Sequence, residues 1–147
     1  LPVYKETLMS IFKGMEFHSP YRFDFDIVNY TCMSNSHHMR SHIHLGRDFT
    51  AVHYVQFDKK HHTSTLFENT SPYIEYVENL NPDLRKTLSN KDSLNSWAYR
   101  EWTLNIEEDD FCLSPAYLKH RINPQDSKKK NRITIVLNIS LKPKGKD

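Results

Sequence analysis

The sequence predicts a mainly β domain, a sandwich or barrel of antiparallel strands with one or a few helices at its periphery. Three observations point there. Residues 26–33, 38–45, 49–57, 63–68, 99–106, 110–114 and 132–141 form short runs rich in β-branched or aromatic residues, punctuated by Asn, Ser, Asp and Pro. Helical spacing is clear only near the start of the chain. The length of 147 residues suits a single domain, residues 1–147, with a core of its own.

The helix is expected over Tyr4 to Lys13, where Leu8, Ile11 and Phe12 recur on one face and Gly14 provides a stop. The strands follow from about Asp26. Between them, Pro72 to Leu88 reads as short helical turns interrupted at Pro82, and Asn90 to Asn95 as a polar loop. The last strand is the most regular. Ile133, Ile135, Leu137, Ile139 and Leu141 share one face, while Arg132, Thr134, Val136, Asn138 and Ser140 share the other. That second face suits either solvent or a polar cavity. The tail from Lys142 to Asp147 reads as a frayed, solvated end.

Composition excludes several classes of function. The net charge of +2 leaves no dominant nucleic-acid footprint. The three glycines, Gly14, Gly46 and Gly145, are too scattered for a dinucleotide fingerprint or a phosphate loop. No apolar run approaches the roughly 20 residues of a membrane helix. Cys32 and Cys112 are too few for a disulfide framework and read as two reduced, partly buried thiols, which points to the cytoplasm. Leu1 in place of an initiator Met fits a processed or trimmed chain lacking N-terminal residues.

Nine histidines are the feature left to explain. His42 and His44 flank Ile43 in an alternating run. On a strand such residues project to one face about 6–7 Å apart, so both imidazoles can meet one ion. Neutral imidazole suits Fe, Zn, Ni or Cu; the plainer reading is two surface histidines. His120, between Pro115 and Pro124, is the best candidate for a third ligand. Twelve residues on, Arg132 offers a rigid fork that matches a carboxylate, and Thr134 adds a hydroxyl. Tyr54 and Asn138 extend the polar lining. His37-His38 and His61-His62 read as solvated pairs, and His53 alternates away from Tyr54. Trp97, Trp102 and Tyr99 read as core packing or as an aromatic wall facing substrate. Lys128 to Lys130 read as a solubilising run.

The ordered set HxH, His, Arg-x-Thr resembles the 2-oxoglutarate/Fe(II) oxygenases of bacteria and phages, which share a double-stranded β-helix (jelly-roll) fold of the cupin-like superfamily. Thr50-Ala-Val-His-Tyr54 matches the strand after the HxH turn. Leu113-Ser-Pro-Ala-Tyr-Leu-Lys-His120 matches the second motif with Leu for Phe and an inserted Ser, and Arg132-Ile-Thr-Ile-Val-Leu-Asn138 matches the third. The likeness covers residues 38 to 141 in outline, with little match from Pro72 to Trp102.

The resemblance implies Fe(II) held by His42 and His120, and 2-oxoglutarate as cosubstrate with its distal carboxylate on Arg132 and Thr134. It implies a hydroxylase-type oxygenase in the cytoplasm of a bacterium or a phage-infected host. The wider superfamily places Asp or Glu where His44 stands. Three readings follow: His44 as the third ligand, Asp48 reaching the metal, or a degenerate site without iron. The expected substrate is a small molecule or a protein side chain, with no nucleic acid and no membrane, and the chain can pair as a homodimer. Two other classes compete: a cupin-like metalloprotein using His42, His44 and His120 without 2-oxoglutarate, and a non-catalytic jelly-roll binding or structural module.

Overall fold

A computed structural model describes residues 2–71, 73, 74, 79, 98–126 and 130–144. The expectations for Pro72 to Leu88 (apart from Tyr73, Ile74 and Asn79), Asn90 to Asn95, Trp97, Lys128 and Lys129 lie outside the described residues. The rest fold as α1 (Pro2–Lys13) and eight strands: β1 (Tyr21–Met33), β2 (Met39–His42), β3 (Phe49–Gln56), β4 (Thr65–Glu68), β5 (Glu101–Thr103), β6 (Phe111–Pro115), β7 (His120–Ile122) and β8 (Arg132–Pro143). They form two four-stranded sheets, ordered β1-β8-β3-β6 and β2-β7-β4-β5. The pairings β2–β7, β3–β6, β3–β8, β4–β5 and β4–β7 are antiparallel, and the fold is mainly β and jelly-roll-like. No helix among the described residues is long and apolar enough to cross a membrane.

The chain divides into two compact units, Leu1–Asp24 with Leu141–Asp147, and Phe25–Ser140. In the first, Leu8 and Phe12 of α1 are fully buried. The ring of Phe12 meets Phe17, Tyr21 and Phe23, with centroids 5.3–6.3 Å away. Gly14 ends the helix as expected, its N–H reaching Ile11 O. Of the tail read as frayed, Gly145 to Asp147 lie outside the described residues, and Lys142 to Lys144 are held in place. Lys142 belongs to β8 and pairs with Asp24 at 2.7 Å, and Lys144 N–H donates to Pro20 O.

In the second unit, Tyr54, Phe57 and Ile106 form a buried cluster flanked by Val52, Leu104 and Cys112. Strand β1 starts five residues earlier than expected. Tyr21, Phe23 and Phe25 alternate with exposed Arg22, Asp24 and Asp26, a period of two that extends the strand backwards. Strand β7 was not among the expected strands, and its three residues are too few to show a period. Both cysteines are free, but Cys32 is exposed rather than partly buried. His62 also departs from expectation. It is buried, with Nδ1 accepting from the Asp58 N–H at 2.9 Å and Nε2 donating to Lys130 O at 2.8 Å, so it closes a loop instead of facing solvent.

Candidate metal centre

His42 closes β2, His120 opens β7, and the two are cross-strand partners. His44 was expected on the same strand as His42. The strand ends at His42, and the turn beyond it delivers His44: its N–H donates to Ala116 O at 2.9 Å, and Gly46 takes the left-handed φ of 73° that the turn requires. The three rings converge, with centroids 4.5–5.3 Å apart. One ligand atom from each lies within 4.8 Å of the others.

Each ring has an oxygen acceptor behind it. Nδ1 of His42 meets Arg40 O at 2.9 Å, Nδ1 of His120 meets Leu118 O at 2.8 Å, and Nδ1 of His44 meets Asn138 Oδ1 at 2.7 Å. A carbonyl oxygen can only accept, so these contacts assign the proton to Nδ1 and leave the Nε2 lone pairs for an ion. Such outer partners fix the tautomer and aim of metal-binding imidazoles. Burial pulls the His120 and His44 pKa values below the usual histidine range. The bonds to Leu118 and Asn138 oppose that shift, and neighbouring imidazoles add to it. Both rings therefore stay neutral, as metal ligation requires. No carboxylate belongs to this group among the described residues. Asp48 is exposed in the turn, its N–H donating to Ile139 O.

Arg132 opens β8 and is fully buried. Its Nε donates to Thr63 O at 3.1 Å, its Nη1 lies 3.4 Å from Thr134 Oγ1, and its guanidinium carbon sits 5.1 Å from the centre of the Tyr54 ring. Nη2 has no hydrogen-bond partner among the described residues. Burial lowers the Arg132 pKa against the stabilising influence of Tyr54, yet a guanidinium remains charged. A buried cation with one idle donor costs several kcal/mol in water-free surroundings, so this corner suits an anionic guest.

A cavity of about 100 Å³ between the two sheets joins these features. His42, His44, His120, Arg132 and Thr134 all line it, together with apolar Val52, Val136 and Ile122. The polar face of β8 thus turns inward at Arg132 and Thr134 instead of meeting solvent. Tyr54 and Asn138 are not on the cavity wall. Tyr54 lies under Arg132 with its hydroxyl 2.8 Å from Thr65 Oγ1, and Asn138 stands behind His44. His53 bonds Asp109 at 2.8 Å, away from the ion position. Trp102 stacks on Phe67, whose ring contacts His120.

Sequence reasoning passed over the hydroxyls of Thr31 and Thr65, which line the cavity. Thr31 is hydrogen-bonded to Thr134. Only the fold brings them there, since 103 positions separate Thr31 from Thr134. The donor set fits a divalent metal, and the idle Arg132 donor beside it fits a carboxylate ligand.

No curated protein matches the chain in a sequence comparison. A family model described as "Putative 2OG-Fe(II) oxygenase" matches residues 29–138, a span that contains all three histidines, Arg132, Thr134 and Asn138. The chain therefore belongs to the 2OG-Fe(II) oxygenase family which that model defines.

Proposed function

We propose that the protein is an Fe(II)- and 2-oxoglutarate-dependent oxygenase of hydroxylase type, acting on a small molecule or a protein side chain, with His42, His44 and His120 as metal ligands. One observation carries this reading: a single cavity is lined both by three imidazoles whose ligand atoms lie within 4.8 Å of one another and by Arg132, whose Nη2 is unsatisfied among the described residues. When bound, Fe(II) and 2-oxoglutarate supply the oxidising chemistry. The chain contributes binding, orientation and shelter. The three Nε2 atoms are neutral donors held in aim by Arg40 O, Asn138 and Leu118 O. Arg132, which lines the cavity together with Thr134 and Thr31, would receive the distal carboxylate. Tyr54 supports the guanidinium from beneath. Val52, Val136 and Ile122 keep water from crowding the site. His44 takes the position that a facial triad gives to a carboxylate.

Anaerobic addition of Fe(II) and 2-oxoglutarate to the apoprotein is expected to produce a metal-to-ligand charge-transfer band in the visible. His42→Ala, His120→Ala and Arg132→Ala abolish it. A wild-type protein with neither the band nor 2-oxoglutarate binding refutes the proposal. Stoichiometric metal that is indifferent to Arg132→Ala and to 2-oxoglutarate assigns the cupin-like alternative instead.

A further inference from the structure

The ladder between β2 and β7 pairs Met39 with Ile122 and His42 with His120, so His42 lies three positions after Met39 while His120 lies two before Ile122. Arg40 and Ser41 together oppose Arg121, which is a β-bulge. Residues three apart on an unbroken strand point to opposite faces. Met39 and His42 both line the cavity, and the bulge is what makes that possible. The Arg40 carbonyl, itself in the bulge, lies 2.9 Å from Nδ1 of His42. The aim of His42 into the cavity therefore depends on the bulge, and the oxygen that meets its Nδ1 belongs to a bulge residue.

A single carboxylate clamps it. Glu68, at the end of β4, reaches across β7. Its Oε1 accepts from Ser41 Oγ at 2.6 Å and from Arg121 Nη1 at 3.1 Å, and its Oε2 lies 3.3 Å from Lys119 Nζ. Ser41 is in the bulge and precedes His42. Arg121 is the residue opposite the bulge, and Lys119 and Arg121 flank His120. The Glu68 side chain is only 15% exposed, so the carboxylate sits against the sheet while its partners reach it from the more open side. The Glu68 N–H also bonds Lys119 O at 2.8 Å, fixing the base of the clamp to β7.

We propose that Glu68 is a positioning residue for the metal centre, locking the bulge that turns His42 toward His44 and His120. This rests on reading the three histidines as metal ligands. The test is a titration with Co(II) alone, whose visible d–d bands report ligand geometry, on wild type, Glu68→Gln, Glu68→Ala, Ser41→Ala and Glu101→Gln. Glu68→Ala is expected to shift the bands and to weaken Co(II) binding about tenfold or more, as loss of an outer partner does. Glu68→Gln keeps an acceptor for Ser41 and falls between Glu68→Ala and wild type. Ser41→Ala shifts the bands in the same sense. Glu101→Gln breaks the bidentate pair with Arg121 (2.8 and 3.0 Å) without touching Ser41, and leaves the bands unchanged. Wild-type bands and affinity in Glu68→Ala and Ser41→Ala overturn the proposal, as does an equal shift in Glu101→Gln. Should Glu68→Ala not fold, Ser41→Ala, which removes one hydroxyl, decides the matter. A wild type that binds no Co(II) overturns the metal reading itself and this proposal with it, a result distinct from the others.

Discussion

Replacing Arg132 with methionine separates what this residue does for folding from what it does for a ligand. Taking the guanidinium out of water costs several kcal/mol. Against that stand the bond from Nε to Thr63 O, about 2 kcal/mol for a charged donor, and the face of Tyr54, about 2 kcal/mol when desolvated. The Nη1 contact with Thr134, at 3.4 Å, is too long to add much. Nη2 is buried without a partner, which costs about 1–3 kcal/mol more. Methionine removes the charge and keeps most of the reach, but leaves Thr63 O without this donor, a loss of about 1 kcal/mol. The metal-free variant is therefore expected to be more stable than wild type by about 1 kcal/mol, a rise of about 4 °C in Tm. With Co(II) in the site and 2-oxoglutarate at about a hundred times its Kd, the order reverses: wild type gains about 2.7 kcal/mol and the variant nothing. Urea melts of both proteins, with and without 2-oxoglutarate, measure all four quantities. A variant that loses 2-oxoglutarate stabilisation but is also destabilised by about 2 kcal/mol or more without ligand makes Arg132 a structural residue as well. One that is still stabilised by 2-oxoglutarate refutes the anchor.

Four further outcomes are expected. Burial holds His44 and His120 below the histidine value of 6.5, so the unfolded chain binds the extra protons as the pH falls past that value. Stability of the metal-free protein should be level from about pH 7 to 8 and decline below about pH 6.5; a urea midpoint that rises toward acid contradicts the assignment. For Glu68, burial raises the pKa but the bonds from Ser41, Arg121 and Lys119 outweigh it, so its contribution is lost separately, as the pH drops below 4.5. His62→Ala removes two buried hydrogen bonds and should cost about 2 kcal/mol, while His61→Ala at the exposed neighbour costs close to nothing and neither changes Co(II) binding; equal melting curves for the two variants refute the buried role of His62. The Cys112 thiol is pushed up to about 11 by burial, whereas Cys32 is exposed, so iodoacetamide at pH 8 should label only Cys32 until the protein is unfolded, as read by mass spectrometry.

What could be read from the sequence was what repeats locally. The alternation in β8 gives its two faces, and the spacing of Leu8 and Phe12 gives α1. The order HxH, His, Arg-x-Thr already brings together the residues that the fold places around one cavity. Long-range facts were hidden. Whether Arg132 and Thr134 face water or a cavity depends on the second sheet, and no property of β8 alone carries that information. His62 looks like its exposed neighbour His61 because its partners, Asp58 N–H and Lys130 O, are backbone groups. The β2 bulge breaks the very period used to read strands, so the reason His42 and His44 converge differs from the one that spacing suggests: a bulge before the first and a turn before the second.

The charge of the assembled site argues for the kind of ligand it takes. Three neutral imidazoles add nothing to the charge of a divalent ion, and the nearby Arg132 adds one more positive charge. Tyr54 and the carbonyl of Thr63 are its stabilising partners, and neither is an anion. With a carboxylate in place of His44, the protein would supply part of the balance itself; with His44 it supplies none. A metal-loaded cavity of this composition is strongly positive and walled by valines and an isoleucine, where charge is poorly screened. A neutral ligand leaves that charge standing, and a monoanion on the metal leaves Arg132 Nη2 idle. A dicarboxylate able to meet both the ion and Arg132 would answer both, and this supports the proposal of 2-oxoglutarate over a cosubstrate-free cupin reaction.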